Sequence, residues 1–454
     1  MASVPSTLIR IKEDLQTFIP EESIVDACRK AGHRWRKRVL GPVETIQLFI
    51  VQVLCFNTAM THLRHLSKAV VKPPAYCRAR MRLPLAVLEM LLLESAQKLR
   101  AENSPPRQLW CGLRALLVDG SSTIAPDTLD SQKAFGKPKR CKKGCGFPVP
   151  KVLGLFDAFS GLMLQTLAFP LYTHEQSKVW MLHSLLQTGD LLVGDRGFCS
   201  FVHLAMLFGR GIHGLFRIHQ KQIVDFRPHR KYRRRYPKGR KVSGRSMPRS
   251  RFVRRLGKHD QIVEWFKDAI NRPRWMSKEQ FALLPQSLKV RELRFTLVRK
   301  GQRTQCVTIA TTLLDPLLYP KQEIADLYGE RWQVETHFGE LKTALKMRKV
   351  KSETSQGVLK ELVVYALVYN LVHRVMLQAA GSQGVMPDRV SFIDAVRWLQ
   401  CAAPGEPLGV LVINPLRKDR HEPRVIKDRQ NTYTLMTRPR TELRKALKKQ
   451  GKNA

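Results

Sequence analysis

Hydrophobic and polar positions change period several times along the chain, and each change predicts a different element. Up to about residue 105 the apolar positions recur at helical spacing, with breaks at Gly41-Pro42 and Pro73-Pro74, which predicts a helical N-terminal region. The apolar run 46–56 contains Gln47 and Gln52 and predicts a buried helix. Short, continuous apolar runs follow. Ala115-Leu116-Leu117-Val118 leads into Asp119 and Gly-Ser-Ser, and Leu191-Leu192-Val193-Gly194 leads into Asp195 and Arg-Gly-Phe. Each predicts a buried strand that delivers a carboxylate to a turn. Between them, 151–157 and 161–169 predict a hairpin and 174–187 a helix. A helix over 201–211 and a short strand over 213–217 come next. The alternation in RELRFTLVRKGQRTQCVTIATTL predicts a second hairpin, turning at Lys300-Gly301-Gln302.

The segment YGERWQVETHFGELK, 328–342, predicts a helix with two stripes. Tyr328, Arg331, Glu335 and Lys342 are spaced 3, 4 and 7 residues apart. On a regular helix they share roughly a 60° arc along about 20 Å of axis. Leu327, Val334, Phe338, Leu341 and Leu345 form the apolar stripe beside them. A carboxylate flanked by Arg, Lys and Tyr suits phosphodiester chemistry, as a metal ligand among phosphate-holding groups. A solvated amphipathic face explains that stripe equally well by itself. Asp119 and Asp195 decide for a three-carboxylate metal site, because open α/β sheets place ligands at the carboxyl ends of their strands.

The three motifs also carry a resemblance. Tyr328-x2-Arg331-x3-Glu335-x6-Lys342 resembles the YREK motif of the insertion sequence four family of DDE transposases. LLVDGSS around Asp119 and LLVGDRGF around Asp195 resemble that family's first and second catalytic Asp motifs. YCRARMRLP at 76–84 and the tail NPLRKDRHEPRVIKDRQNTYTLMTRPR resemble its N- and C-terminal regions, so the similarity spans most of the chain. The expected fold is α/β: a ribonuclease H-like mixed-sheet catalytic core with a β-rich insertion, preceded by a helical N-terminal domain. The expected divisions are a helical DNA-binding region over 1–105, core over 106–217, a basic β-rich insertion over 218–310, core again over 311–380, and a helical, basic C-terminal region over 381–454. The resemblance implies a cut-and-paste recombinase that cuts element ends and joins them to target DNA, acting as a homodimer in the synaptic complex.

Charge agrees with a DNA partner. A formal net charge of +42 over 454 residues demands a polyanion. Arg29, Lys30, Arg34, Arg36, Lys37 and Arg38 cluster around Trp35, and 227–258 carries no acidic residue. Both suit contact with a phosphate backbone, the first no better than it suits a solvated helix end. Nine scattered cysteines predict reduced thiols, and Cys141 and Cys145 lack a second Cys or His pair for zinc. No uninterrupted apolar run reaches membrane-span length and the N-terminus has no signal-peptide pattern, so a cytoplasmic, nucleoid-associated protein is expected.

Asp119, Asp195 and Glu335 are the expected catalytic and metal-binding residues, and hard carboxylate oxygens suit two Mg²⁺ or Mn²⁺ ions. Arg331 and Lys342 are expected to hold phosphate, with Tyr328 and Arg196 as further contacts. Trp265 and Trp275 are candidates to stack an extruded base, against a plainer role in packing. The same carboxylates would serve a nuclease that cuts without joining. A non-catalytic DNA-binding derivative and an RNA-binding protein share the charge.

Overall fold

The computed structural model describes residues 11–414 and 440–450, apart from 12, 37, 64–71, 103–108, 140–144, 220–223, 229–248, 269–271, 298–304 and 404. Lys37, Cys141, the Lys300-Gly301-Gln302 turn, most of the basic run 227–258 and the basic tail from 415 to 439 therefore lie outside the described residues. In chain order the helices are α1 (Glu21–Lys30), α2 (Pro42–Leu54), α3 (Pro73–Arg82), α4 (Leu85–Glu102), α5 (Leu129–Phe135), α6 (Phe201–Phe208), α7 (Lys278–Ala282), α8 (Lys321–Glu330), α9 (Gln333–Gly339), α10 (Ser355–Gln383), α11 (Phe392–Cys401) and α12 (Arg440–Gln450). The strands are β1 (Ala115–Ser122), β2 (Lys151–Asp157), β3 (Met163–Phe169), β4 (Leu191–Gly194), β5 (His213–Arg217), β6 (Arg249–Gly257), β7 (Asp260–Phe266), β8 (Ser287–Leu297) and β9 (Gln305–Thr311).

The nine strands among the described residues join one sheet, in the order β3-β2-β1-β4-β5-β9-β8-β7-β6. The first five have the ribonuclease H-like arrangement: an antiparallel β3-β2-β1 meander, then β4 and β5 parallel to β1. The strands between 218 and 311 extend this sheet, because β9 pairs antiparallel with β5. Both faces of β1 are covered, which explains its unbroken apolar run. Leu117 faces a core shared with α10 and the N-terminal helices, while Leu116 and Val118 face a second core shared with α6.

Helix α10 is hydrophobic all round and packs on β3, α2, α4 and α11. It is long and apolar enough to cross a membrane by length and composition, yet 94% of its most apolar window is buried in the protein. Its length was not foreseen, because Lys360, Glu361, Asn370 and His373 interrupt the apolar run. Those polar side chains bind the fold together. Asn370 closes the exposed edge of β3 by accepting from Met163 N (2.9 Å) and donating to Met163 O (2.8 Å). Glu361 accepts from Asn57 Nδ2 (2.7 Å) and from the Lys351 and Ser352 amides (2.8 Å each).

Two expected elements differ. Residues 174–187 form 3₁₀ segments, Glu175–Ser177 and Val179–Leu185, and no α-helix. The Ser177 hydroxyl bonds the His174 carbonyl and Trp180 Nε1 bonds the Ser177 carbonyl, so side chains take up groups an α-helix would use. The single helix expected over 328–342 is broken. Between Tyr328 and Glu335 the backbone bonds are i to i−3, as in Arg331 N to Tyr328 O and Glu335 N to Trp332 O. A π-helical turn, Glu340–Ala344, then follows α9. Trp265 is packed, its Nε1 donating to Glu292 (3.0 Å), whereas Trp275 stacks on the partly exposed Trp180.

The approach to α8 depends on a buried ion pair. Arg291, 1% exposed, donates to both oxygens of Asp260 (2.9 and 2.7 Å) and through Nη1 to Tyr319 O (2.7 Å), just before α8 begins. Asp260→Ala leaves that guanidinium buried without its counter-charge. The expected destabilisation is about 3–5 kcal/mol by denaturant unfolding, and a change below 1 kcal/mol would contradict this account.

Candidate active site

The register of one parallel strand pair builds the site. Val118 on β1 lies opposite Gly194 on β4. The next residue along each is an aspartate: Asp119 stays within β1, which pairs with β2 as far as Ser122 where a turn at Gly120 was expected, and Asp195 directly follows β4, the two strands lying about 4.8 Å apart across a sheet. Asp119 lies opposite Gly154 of β2. The Phe338 ring of α9 stands 3.0 Å from where a Gly154 Cβ would be, so the missing side chain admits α9 onto the sheet. Beyond the π turn, Ile124 exchanges backbone bonds with Arg348 and Val350, and Thr123 Oγ1 donates to Met347 O (2.7 Å). These bonds hold the segment following α9 against the end of β1.

Arg331 then joins the first and third carboxylates. Its Nη1 donates to Asp119 Oδ2 (3.2 Å), and its Nη2 lies 3.6 Å from Glu335 Oε1. Asp119 Oδ1 accepts from the Gly120 amide (2.8 Å). Asp195 Oδ1 is buried with no hydrogen-bond partner, an unusual state for a carboxylate oxygen. Glu335 is the most open of the set, 44% exposed against 19% for Asp119. An all-carboxylate set with an orphaned buried oxygen, balanced by one guanidinium, fits a hard divalent cation better than zinc.

The remaining expected residues surround this group unevenly. Tyr328 is buried against Phe295 and its hydroxyl has no hydrogen-bond partner. Burial pushes that phenol well above its usual range, so it keeps its proton. Lys342 lies in the π turn, with no ion pair or hydrogen bond among the described residues. Burial, aided by the nearby Arg348, lowers its ammonium pKa. Arg196 is exposed in the short 3₁₀ turn after Asp195. A fourth carboxylate, Glu175, was not foreseen: its Oε1 lies 2.3 Å from where a Gly120 Cβ would be, and 3.9 Å from Lys151 Nζ. No periodicity marks it, because it arrives on the irregular turn after β3.

Burial raises the Asp119 pKa to about 6, against the Gly120 amide and Arg331, which lower it, while Asp195 and Glu175 add to the rise. The sign follows from linkage. Between the unfolded-state value near 3.8 and about 6, the folded chain keeps a proton the unfolded chain has released, so stability falls as pH rises through that window. Metal binding runs the other way, since ligation needs the ionised carboxylate. Asp119→Asn is expected to raise the Tm of the metal-free protein at pH 7.5 by roughly 2–4 °C, a gain that disappears towards pH 4. A Tm lowered at pH 7.5 would show that pairing with Arg331 outweighs burial.

The chain is 27% identical over 389 residues to the transposase InsG of insertion sequence element IS4 from Escherichia coli (strain K12), covering 81% of this chain and 79% of that protein. Among solved structures it is similar to the piggyBac transposase in a synaptic complex with hairpin DNA, with a TM-score of 0.41 and 11% identity over 86% of this chain and 79% of that one. The model of the transposase DDE domain matches residues 110–371, from just before β1 into α10 and so across Asp119, Asp195 and Glu335. The chain therefore belongs to the insertion sequence four family of DDE transposases.

Proposed function

We propose that Asp119, Asp195 and Glu335 hold two Mg²⁺ or Mn²⁺ ions and catalyse DNA cleavage at element ends, followed by strand transfer to target DNA. The observation that carries this reading is the bridge from Arg331 to Asp119 and Glu335, beside the orphaned oxygen of Asp195. Asp119, Asp195 and Glu335 would hold these ions, whose chemistry would be Lewis-acid activation of a water or a DNA 3′-hydroxyl and stabilisation of the leaving oxygen. Arg331 keeps Asp119 and Glu335 charge-balanced in the metal-free chain. Its planar fork matches phosphate as well as carboxylate, which assigns it to the scissile or adjacent phosphate. Lys342 adds a point charge to the same backbone, Tyr328 a hydroxyl donor, and Arg196 a contact from the turn after Asp195.

The rest of the chain holds DNA around this centre. Residues 1–105 form the N-terminal DNA-binding region in this reading, 106–217 and 311–380 the catalytic core, 218–310 the insertion, and 381–454 a basic C-terminal region. Strand β6 supports the insertion's part: it forms the outer edge of the sheet and exposes Arg251, Arg254 and Arg255. The inverted repeats at two element ends must meet in one complex, so a homodimer is the assembly proposed for synapsis.

The test uses duplex DNA carrying the inverted repeats that flank the gene. Nicking is expected with Mg²⁺ or Mn²⁺ and is expected to fall at least about 100-fold in Asp195→Asn and in Glu335→Gln. Full-rate cleavage by either variant would overturn the site assignment. A pre-cut element end separates the two chemistries: joining to target DNA supports transposition, and cleavage without joining identifies a nuclease.

A further inference from the structure

A second cluster of metal-ligating side chains lies beneath the catalytic helix. His337 and Glu340 lie three residues apart, at the end of α9 and the start of the π turn, and His373 meets them from α10. Their nearest donor atoms all fall within 4.8 Å of one another. His337 Nδ1 lies 3.6 Å and His373 Nε2 3.8 Å from Glu340 Oε2. Direct charge-assisted hydrogen bonds would be about 2.7–2.9 Å. Two ligands on a tetrahedral ion, each about 2.0–2.1 Å from it, are about 3.4 Å apart. The spacing is nearer to the second arrangement.

Three further observations favour a ligand. The histidine side chains are only 7% and 4% exposed, and both His337 nitrogens, His373 Nε2 and Glu340 Oε2 have no hydrogen-bond partner. Buried polar atoms are rarely left so. His373 Nδ1 faces Ser160 O at 3.3 Å, so Nδ1 donates there and Nε2 is turned towards the carboxylate. With the ring neutral, these are two acceptors facing each other, which repel unless a cation lies between them. A backbone carbonyl behind a histidine is also the usual support of a metal-ligating ring. Finally, aromatic rings and backbone enclose the cluster. Phe156 stacks on His337, Tyr369 lies over His373, and Gly161, at φ +71°, passes so close that a Cβ there would lie 2.7 Å from His373 Cε1.

We infer that His337, Glu340 and His373 form a binding site for a zinc-class transition metal, distinct from the carboxylate site for hard cations. Two imidazoles and one carboxylate suit zinc and not magnesium, and a water completes the tetrahedron. The ion would tie α9 and its π turn to α10, holding Glu335, two residues before His337, in register over Asp119.

Elemental analysis of the full-length protein, purified without added metal and exchanged into Mg²⁺ buffer, tests this. About one zinc per chain is expected in the wild type and in Asp119→Asn, with loss of the ion in His373→Gln and in Glu340→Gln. Cobalt substitution gives a second readout: intense visible bands of tetrahedral Co²⁺ are expected for the wild type and not for His373→Gln. These measurements do not require activity, so they fail or succeed independently of the proposed catalytic site. Wild-type protein that holds no zinc and gives no tetrahedral cobalt spectrum would overturn the inference and identify the cluster as an imidazolium–carboxylate network. Zinc lost in Asp119→Asn but kept in His373→Gln would overturn it too, by placing the ion at the carboxylates.

Discussion

The parallel pairing of β1 with β4 is the constraint on which the site depends. A parallel pair sends both carboxyl ends to the same edge, so Val118 opposite Gly194 sets Asp119 beside Asp195 although 75 residues of chain separate them. A slip of one residue would turn one aspartate to the opposite face. The register is protected by burial on both faces: Leu116 and Val118 point into one core, Leu117 into the other, and neither set can be exposed without losing its core contacts. The apolar runs that make the strands therefore also align the acids.

Concentrating negative charge where β4 ends beside β1 is costly, and the protein offsets that cost with Arg331. The residue is bound to the helix segment that carries Glu335, so it delivers a counter-charge and the third acid together. The tightened turn around Arg331 and the π turn after Gly339 show that this segment departs from regular helix where its side chains must meet the sheet. π turns inside helices are frequent at functional sites. Here the irregularity brings Glu340 towards His337 and His373 and carries Lys342, so two clusters of different chemistry share one distorted stretch.

The sheet continues without interruption into the 218–311 segment through β9, which makes that segment part of the core's hydrogen-bond ladder. The Asp260–Arg291–Tyr319 contacts join this extension to the start of α8. The N-terminal helices are tied in from the other side, through Asn57 and Glu361 on α10.

Local pattern was enough to determine the apolar runs of β1 and β4 that lead into Asp119 and Asp195, and the β2–β3 hairpin, because period and turn chemistry are properties of neighbouring residues. It determined the helical content before β1 for the same reason. Tertiary structure alone decided that residues 174–187 form 3₁₀ segments and place Glu175 on Gly120, that β1 runs on past Asp119 to Ser122, that the helix over 328–342 breaks, and that α10 is buried over most of its length. It also decided the meeting of His337, Glu340 and His373. These features arise from contacts between segments far apart in the chain, where packing and buried polar pairing override local propensity, and no window of sequence contains both partners.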